Sequence, residues 1–137
     1  MYIIYNLLLI VVFVVFVLPY YTYRLFTEKG FSRRFRQSLG RVHNKEIEKV
    51  MRKDCIWIHG ASVGEIVATS PLVKQIRKEM PDRPILVSAF TVGGYNMARQ
   101  IIPEADAIIF FPLDLPFVAE SMVKRIHPGI FMPVETE

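Results

Sequence analysis

The stretch IWIHGASVGEIVATSPL, residues 56–72, passes from a short apolar run through Gly60 and Gly64 into a helical pattern, with one carboxylate, Glu65, at the turn. Strand, tight turn and helix in that order open a β/α unit, and the same grammar returns downstream. PILVSAF (84–90) reads as a second strand, apolar enough to be buried on both faces, and TVGGYNMARQII (91–102) as the next turn and helix. DAIIFFPLD (106–114) reads as a third strand, LPFVAESMVKRI (115–126) as a helix with Pro116 near its start, and GIFMPVETE (129–137) begins as a fourth strand. Strands separated by helices of this length pair in parallel through right-handed crossovers. The expected fold is α/β, a doubly wound parallel sheet of Rossmann-like form.

Within the first helical pattern Ala68, Leu72, Val73, Ile76 and Met80 share a face, while Lys74, Gln75, Arg77 and Lys78 point away. Ser70 and Pro71 suit the N-cap and first position of a helix, which makes residues 65–69 a separate turn or a kinked first segment.

Ligands of such sheets sit outside the carboxyl ends of the strands. There this sequence places HGASVGE, TVGG, PLD and PVETE, after strands one to four. Ser62 and Glu65 form S-x-x-E, the capping-box pattern, so on pattern alone Glu65 is read first as a helix cap. Gly60 and Gly64 add backbone freedom, and G-x-G-x-x-G is absent, which disfavours a dinucleotide site.

The front of the chain carries much of the 52% hydrophobic content. Residues 2–23, YIIYNLLLIVVFVVFVLPYYTY, contain no charged side chain, and about 20 helical residues cross a ~30 Å hydrocarbon layer. A cleaved signal peptide would want a basic start and a small-residue cleavage site, and neither is present. The reading is a transmembrane anchor over 2–23, with tyrosines at both ends as interfacial belts.

Ten Lys and Arg against Glu28, Glu46 and Glu48 give residues 24–53 a balance of +7, which leaves −3 for the rest of a chain whose net charge is +4. By the positive-inside rule the amino terminus faces out and the residues after the anchor lie in the cytoplasm, in a single-pass arrangement. RLFTEKGFSRRFRQSLGRVHNK (24–45) interleaves apolar residues with cations, as a juxtamembrane element on anionic lipid would, or as a plain topology signal. No nucleic-acid module surrounds it, and no nucleic-acid partner is expected. The domain proper is placed at 54–137.

The single cysteine, Cys55, cannot form an internal disulfide and is read as a small buried hydrophobe. His43, His59 and His127 lack metal-ligand spacing, so no metal is expected. His59 is read first as a satisfied structural histidine, with a hydrogen bond across the loop as the alternative.

IWIHGASVGE, FTVGG, FFPLDLP and HPGIFMPVETE, in this order behind an apolar amino terminus, resemble the first half of bacterial 3-deoxy-D-manno-octulosonic acid (Kdo) transferases, GT-B glycosyltransferases of lipopolysaccharide assembly. The resemblance implies transfer of Kdo from CMP-Kdo to a lipid A precursor at the cytoplasmic face of the inner membrane, in one inverting displacement without a cofactor. It implies Glu65 as general base on the acceptor hydroxyl and Glu135 as a second, supporting carboxylate. Ser62 and Gly64 would shape the turn, with Thr91 and Gly93 on the substrate side. Where many members read T-x-T-G, this chain has Thr91-Val92-Gly93-Gly94, which removes a hydroxyl at Gly93.

The resemblance also implies a longer protein, in which a second domain carries most of the nucleotide-sugar site. These residues are therefore expected to be the acceptor-side half, with little activity alone. The alternatives are an inactive fragment, a membrane-anchored module served by a separate nucleotide-sugar-binding partner, or a GT-B enzyme for another sugar nucleotide.

A peptide covering residues 24–45 is expected to bind anionic liposomes and to be released by salt. Absence of binding at low salt would remove the lipid reading of that segment.

Overall fold

The structure, a computed structural model, describes residues 6, 10–27, 30–51 and 53–135, the side chains of residues 24–26 and 31 excepted. The chain divides into two compact units, residues 1–33 and 34–137.

In the first unit a π-helical turn, Phe13–Val17, runs into α1 (Leu18–Thr27). Ile10, Phe16 and Tyr23 are 60%, 67% and 68% exposed, so these side chains do not enter a core. Thr22 returns its hydroxyl to the carbonyls of Leu18 (3.0 Å) and Pro19 (2.9 Å), which satisfies a polar group within the helix. Among the described residues no helix is long and apolar enough to cross a membrane. The anchor read over 2–23 falls partly on residues 2–5 and 7–9, which lie outside the described residues.

The second unit is built on a four-stranded parallel sheet of β1 (Ile56–Gly60), β2 (Ile85–Ala89), β3 (Ala107–Phe110) and β4 (Ile130–Val134), ordered β3-β2-β1-β4. The chain also forms α2 (Phe31–Ser38), α3 (Asn44–Ile47), α4 (Val63–Glu79), α5 (Val92–Ile101) and α6 (Pro116–Ile126). One sheet face presents Ile56, Ile58, Ile85, Val87, Ala89 and Phe110 to Ile66 and Val73 of α4 and Tyr95 and Ala98 of α5. The other presents Trp57, Leu86, Ala107 and Ile109 to Met122 and Ile126 of α6 and to Val42, Ile47 and Val50. Each fully buried aliphatic side chain contributes about 1.5–3 kcal/mol. The strands read as unbroken apolar runs because both faces are covered.

The compact unit starts well before residue 54. Val42, Ile47 and Val50 are 3%, 0% and 0% exposed, because the second sheet face needs a layer that α6 alone does not supply. Gln37 Oε1 accepts from the Phe110 N–H at 2.8 Å, which ties the end of α2 to β3. Gly40, at φ 77°, ends that segment in the left-handed region, and a Cβ there would lie 3.4 Å from Val118 Cγ1.

The first long helix also departs from the sequence reading. It is continuous from Val63 to Glu79, with Pro71 in its interior, rather than starting at Ser70. An interior proline costs about 3 kcal/mol through its missing N–H and its ring. Burial of Ile66, Thr69, Ser70 and Val73 on either side offsets this, together with Ser70 Oγ donating to the Ile101 carbonyl at 3.2 Å.

Cys55 is fully buried, and its thiol is pushed up to about 11, chiefly by burial. Labelling by a thiolate-selective disulfide reagent near neutral pH should be at least ~100-fold slower in the native protein than in denaturant. Equal rates would place the thiol at the surface.

Candidate active site

The order β3-β2-β1-β4 reverses direction at β1, so β1 and β4 lie side by side and the chain leaves the sheet on either side of their carboxyl ends. Such a switch point opens a crevice. His59 is in register with Pro133, and Gly60 with Val134. Glu65 follows β1 by one turn of helix, and the exposed Glu135 directly follows Val134. The topology brings the loops of both sequence-predicted carboxylates to one edge.

Gly60 allows the close return of α4 over the end of β1. A Cβ there would sit 3.1 Å from Ile66 Cδ1 and 3.3 Å from Glu65 Cβ. Ser62 then caps the helix, its Oγ accepting from the Glu65 N–H at 3.3 Å, and Glu65 closes the box. Glu65 Oε2 accepts from the N–H groups of Ala61 (2.5 Å) and Ser62 (3.4 Å), and Oε1 accepts from the Ser62 hydroxyl (3.0 Å). The Ala61 N–H above all holds the Glu65 carboxyl below its ordinary value. Glu65 is half-buried and ionised at neutral pH.

Thr91 caps α5, accepting from the Gly94 N–H at 3.0 Å and donating to the Ala61 carbonyl at 3.4 Å. Its hydroxyl ties the second loop to the Glu65 loop. Gly93 is exposed and lets the starts of α4 and α5 approach, since a Cβ there would lie 3.2 Å from Val63 Cγ2. Gly64 has no such restriction, its nearest contact being Ser62 Oγ at 3.9 Å.

His59 is half-buried at the end of β1. Its Nδ1 lies 3.0 Å from Ser88 Oγ and 3.2 Å from the Ser88 carbonyl, and its ring stacks on Phe111 at 4.0 Å and 26°. Trp57 Nε1–H donates to the same Ser88 hydroxyl at 2.8 Å. Burial first of all lowers the His59 pKa, against the Ser88 carbonyl and the Glu65 carboxylate, which raise it. The ring is neutral at neutral pH. Sequence reading missed Ser88 and Phe111, although a lone hydroxyl in the strand PILVSAF was a signal.

Among the described residues no three His, Cys, Asp or Glu side chains are grouped to hold a metal ion. A groove of about 410 Å³ runs along α6, lined by Phe117, Glu120, Ser121, Lys124 and Arg125, and includes no residue of the Glu65 loop.

The carboxylate of Glu65 stabilises the fold above its ordinary value of 4.5, and that contribution is lost as pH falls through its lowered folded value. Ser62→Ala should cost about 1 kcal/mol in denaturant unfolding at pH 7, whereas Glu65→Gln keeps an N3 group able to close the box and should cost less. Glu65→Gln should also flatten the acid limb of stability against pH. An unchanged acid limb would show that the carboxylate is not held by these donors.

The family model described as 3-deoxy-D-manno-octulosonic-acid transferase (kdotransferase) matches residues 33–137. The 3-deoxy-D-manno-octulosonic acid transferase of Haemophilus influenzae is 34% identical over 82 residues, 60% of this chain and 19% of that protein. That of Chlamydia trachomatis is 36% identical over 76 residues, 55% of this chain and 18% of that protein. That of Rickettsia felis is 29% identical over 100 residues, 73% of this chain and 22% of that protein. The matched segment thus spans about a fifth of the length of these relatives. With 33–137 matched, the switch-point site lies wholly within the shared region, and the chain belongs to the 3-deoxy-D-manno-octulosonic acid transferase family.

Proposed function

We propose that this chain is the acceptor-side half of a glycosyltransferase that moves Kdo from CMP-Kdo to a lipid A precursor in lipopolysaccharide synthesis. The observation that carries the reading is the juxtaposition of the Glu65 and Glu135 loops at the β1/β4 switch point, in a chain of this family. Glu65 is the general base. A sugar hydroxyl is a weak nucleophile until its proton is taken, and a carboxylate fixed at a loop-helix junction takes it as the new bond to the anomeric carbon forms. CMP leaves with the electrons of the broken glycosyl bond, and the configuration inverts.

Both Glu65 oxygens accept from capping donors, which makes the carboxylate a weak base. The acceptor hydroxyl takes the place of the Ser62 hydroxyl at Oε1, so that the proton it donates there is the one Glu65 removes as the new bond forms. Glu135 supports from the neighbouring strand end, while Ser62, Gly64, Thr91 and Gly93 shape the acceptor side. The nucleotide-sugar site belongs to a second domain.

The acceptor is a lipid, so the domain works at a bilayer, with residues 2–23 as its anchor and the catalytic unit on the cytoplasmic side. Exposed apolar residues support this, among them Phe35 (51%), Leu115 (47%) and Phe117 (85%), as do the exposed cations Arg36 and Arg41, close to Phe35 in sequence. Cations beside apolar side chains suit an anionic lipid surface.

Glu65→Gln in the full-length transferase should lower turnover by roughly 10²–10⁴-fold. The melting temperature should be nearly unchanged, because glutamine preserves the capping box. Retained turnover would remove Glu65 as the base.

A further inference from the structure

One polar group beside the Glu65 loop has no part in the reaction described so far. His59 is held at two points: Ser88, which is 0% exposed, grips Nδ1 from within the sheet and Phe111 stacks on the ring, while Trp57 holds Ser88 in turn. The Ser88 hydroxyl accepts from Trp57, which frees its own proton for Nδ1 and puts the imidazole proton on Nε2. In the other tautomer Nδ1–H donates to the Ser88 carbonyl and Nε2 is a bare acceptor. Either way the inner nitrogen is committed. Among the described residues both hydrogen-bond contacts of the ring are made through Nδ1, and none through Nε2.

A side chain that only filled this space would be apolar, because burying a polar ring costs free energy unless its nitrogens are satisfied. The position adds to the argument. His59 stands opposite Pro133 of β4 and one residue before the glycine that begins the Glu65 loop, and the Glu65 charge reaches it. A neutral Nε2 donates in one tautomer and accepts in the other. A sugar hydroxyl, which does both, matches either; a phosphate matches only the donor.

We propose that His59 is a second substrate-contacting group of this site, its imidazole held by Ser88 and Phe111 so that Nε2 hydrogen-bonds a sugar hydroxyl of the acceptor beside Glu65. Ser88 is then a positioning residue. The proposal rests on the acceptor-side reading above.

The test is ¹⁵N NMR of the chain in detergent micelles, titrated with an acyl-free glucosamine disaccharide bisphosphate as probe. Saturable shifts are expected in the amides of residues 60–65 and in the His59 Nε2 resonance. His59→Phe keeps the stack on Phe111 and should weaken probe binding by roughly tenfold. Ser88→Ala leaves only the backbone carbonyl of residue 88 beside Nδ1, so the ring proton should move to Nδ1, the Nε2 resonance should shift to that of an unprotonated nitrogen, and probe binding should weaken as the ring loses its tether; Ser88→Thr should restore both. If Ser88→Ala does not fold, His59→Phe decides alone. Amide shifts with an unmoved Nε2 and unchanged affinity in His59→Phe would make the histidine structural and overturn the proposal. No shift anywhere in residues 60–65 would overturn the acceptor-side reading, and this proposal with it.

Discussion

Strand β1 pairs with β2 on one edge and β4 on the other, and its residues 56–58 are buried on both sheet faces. A strand with no free edge and no free face has one exit, its carboxyl end, and the chain must turn there within a few residues. Gly60 makes the turn possible by letting the first turn of α4 sit 3.1–3.3 Å from where a Cβ would be. The position of Glu65 follows from that packing. So does the position of Glu135, because β4 is aligned to β1 residue by residue.

The capping box and the proposed chemistry use the same atoms. Ser62 and two backbone N–H groups hold both carboxylate oxygens, which fixes the side chain and lowers its basicity. Fixing and weakening are both compatible with the proposed role as base, since the side chain is oriented before any acceptor arrives. In that proposal an acceptor hydroxyl at Oε1 would take the place of the Ser62 hydroxyl, exchanging hydrogen bonds rather than losing them.

Aromatic packing on the α6 side of the sheet carries the same logic outward. Trp57, Phe111 and Phe131 lie within 5.4–6.1 Å of one another, and His59 stacks on Phe111 at the carboxyl end of this cluster. The cluster grades from the buried Trp57 to Phe131, which is 45% exposed, so it is both core and rim. A polar ring tethered through a buried serine at that gradient is positioned by the core and presented at the edge.

Apolar runs of four to seven residues, set between turn signals and helical patterns, determined by themselves that this chain makes a parallel α/β sheet. S-x-x-E determined the cap, because both signals are local and depend on neighbours in sequence. Tertiary structure alone decided three other things. The interior Pro71 was accommodated because burial against the sheet outweighs a local helix break, and no local propensity contains that term. Val42, Ile47 and Val50, which fall in the basic juxtamembrane segment read over 24–53, supply core side chains, since only the folded sheet shows which face lacks cover. The tether from His59 to Ser88 spans 29 residues, and a contact of that separation exists only once β1 and β2 are in register.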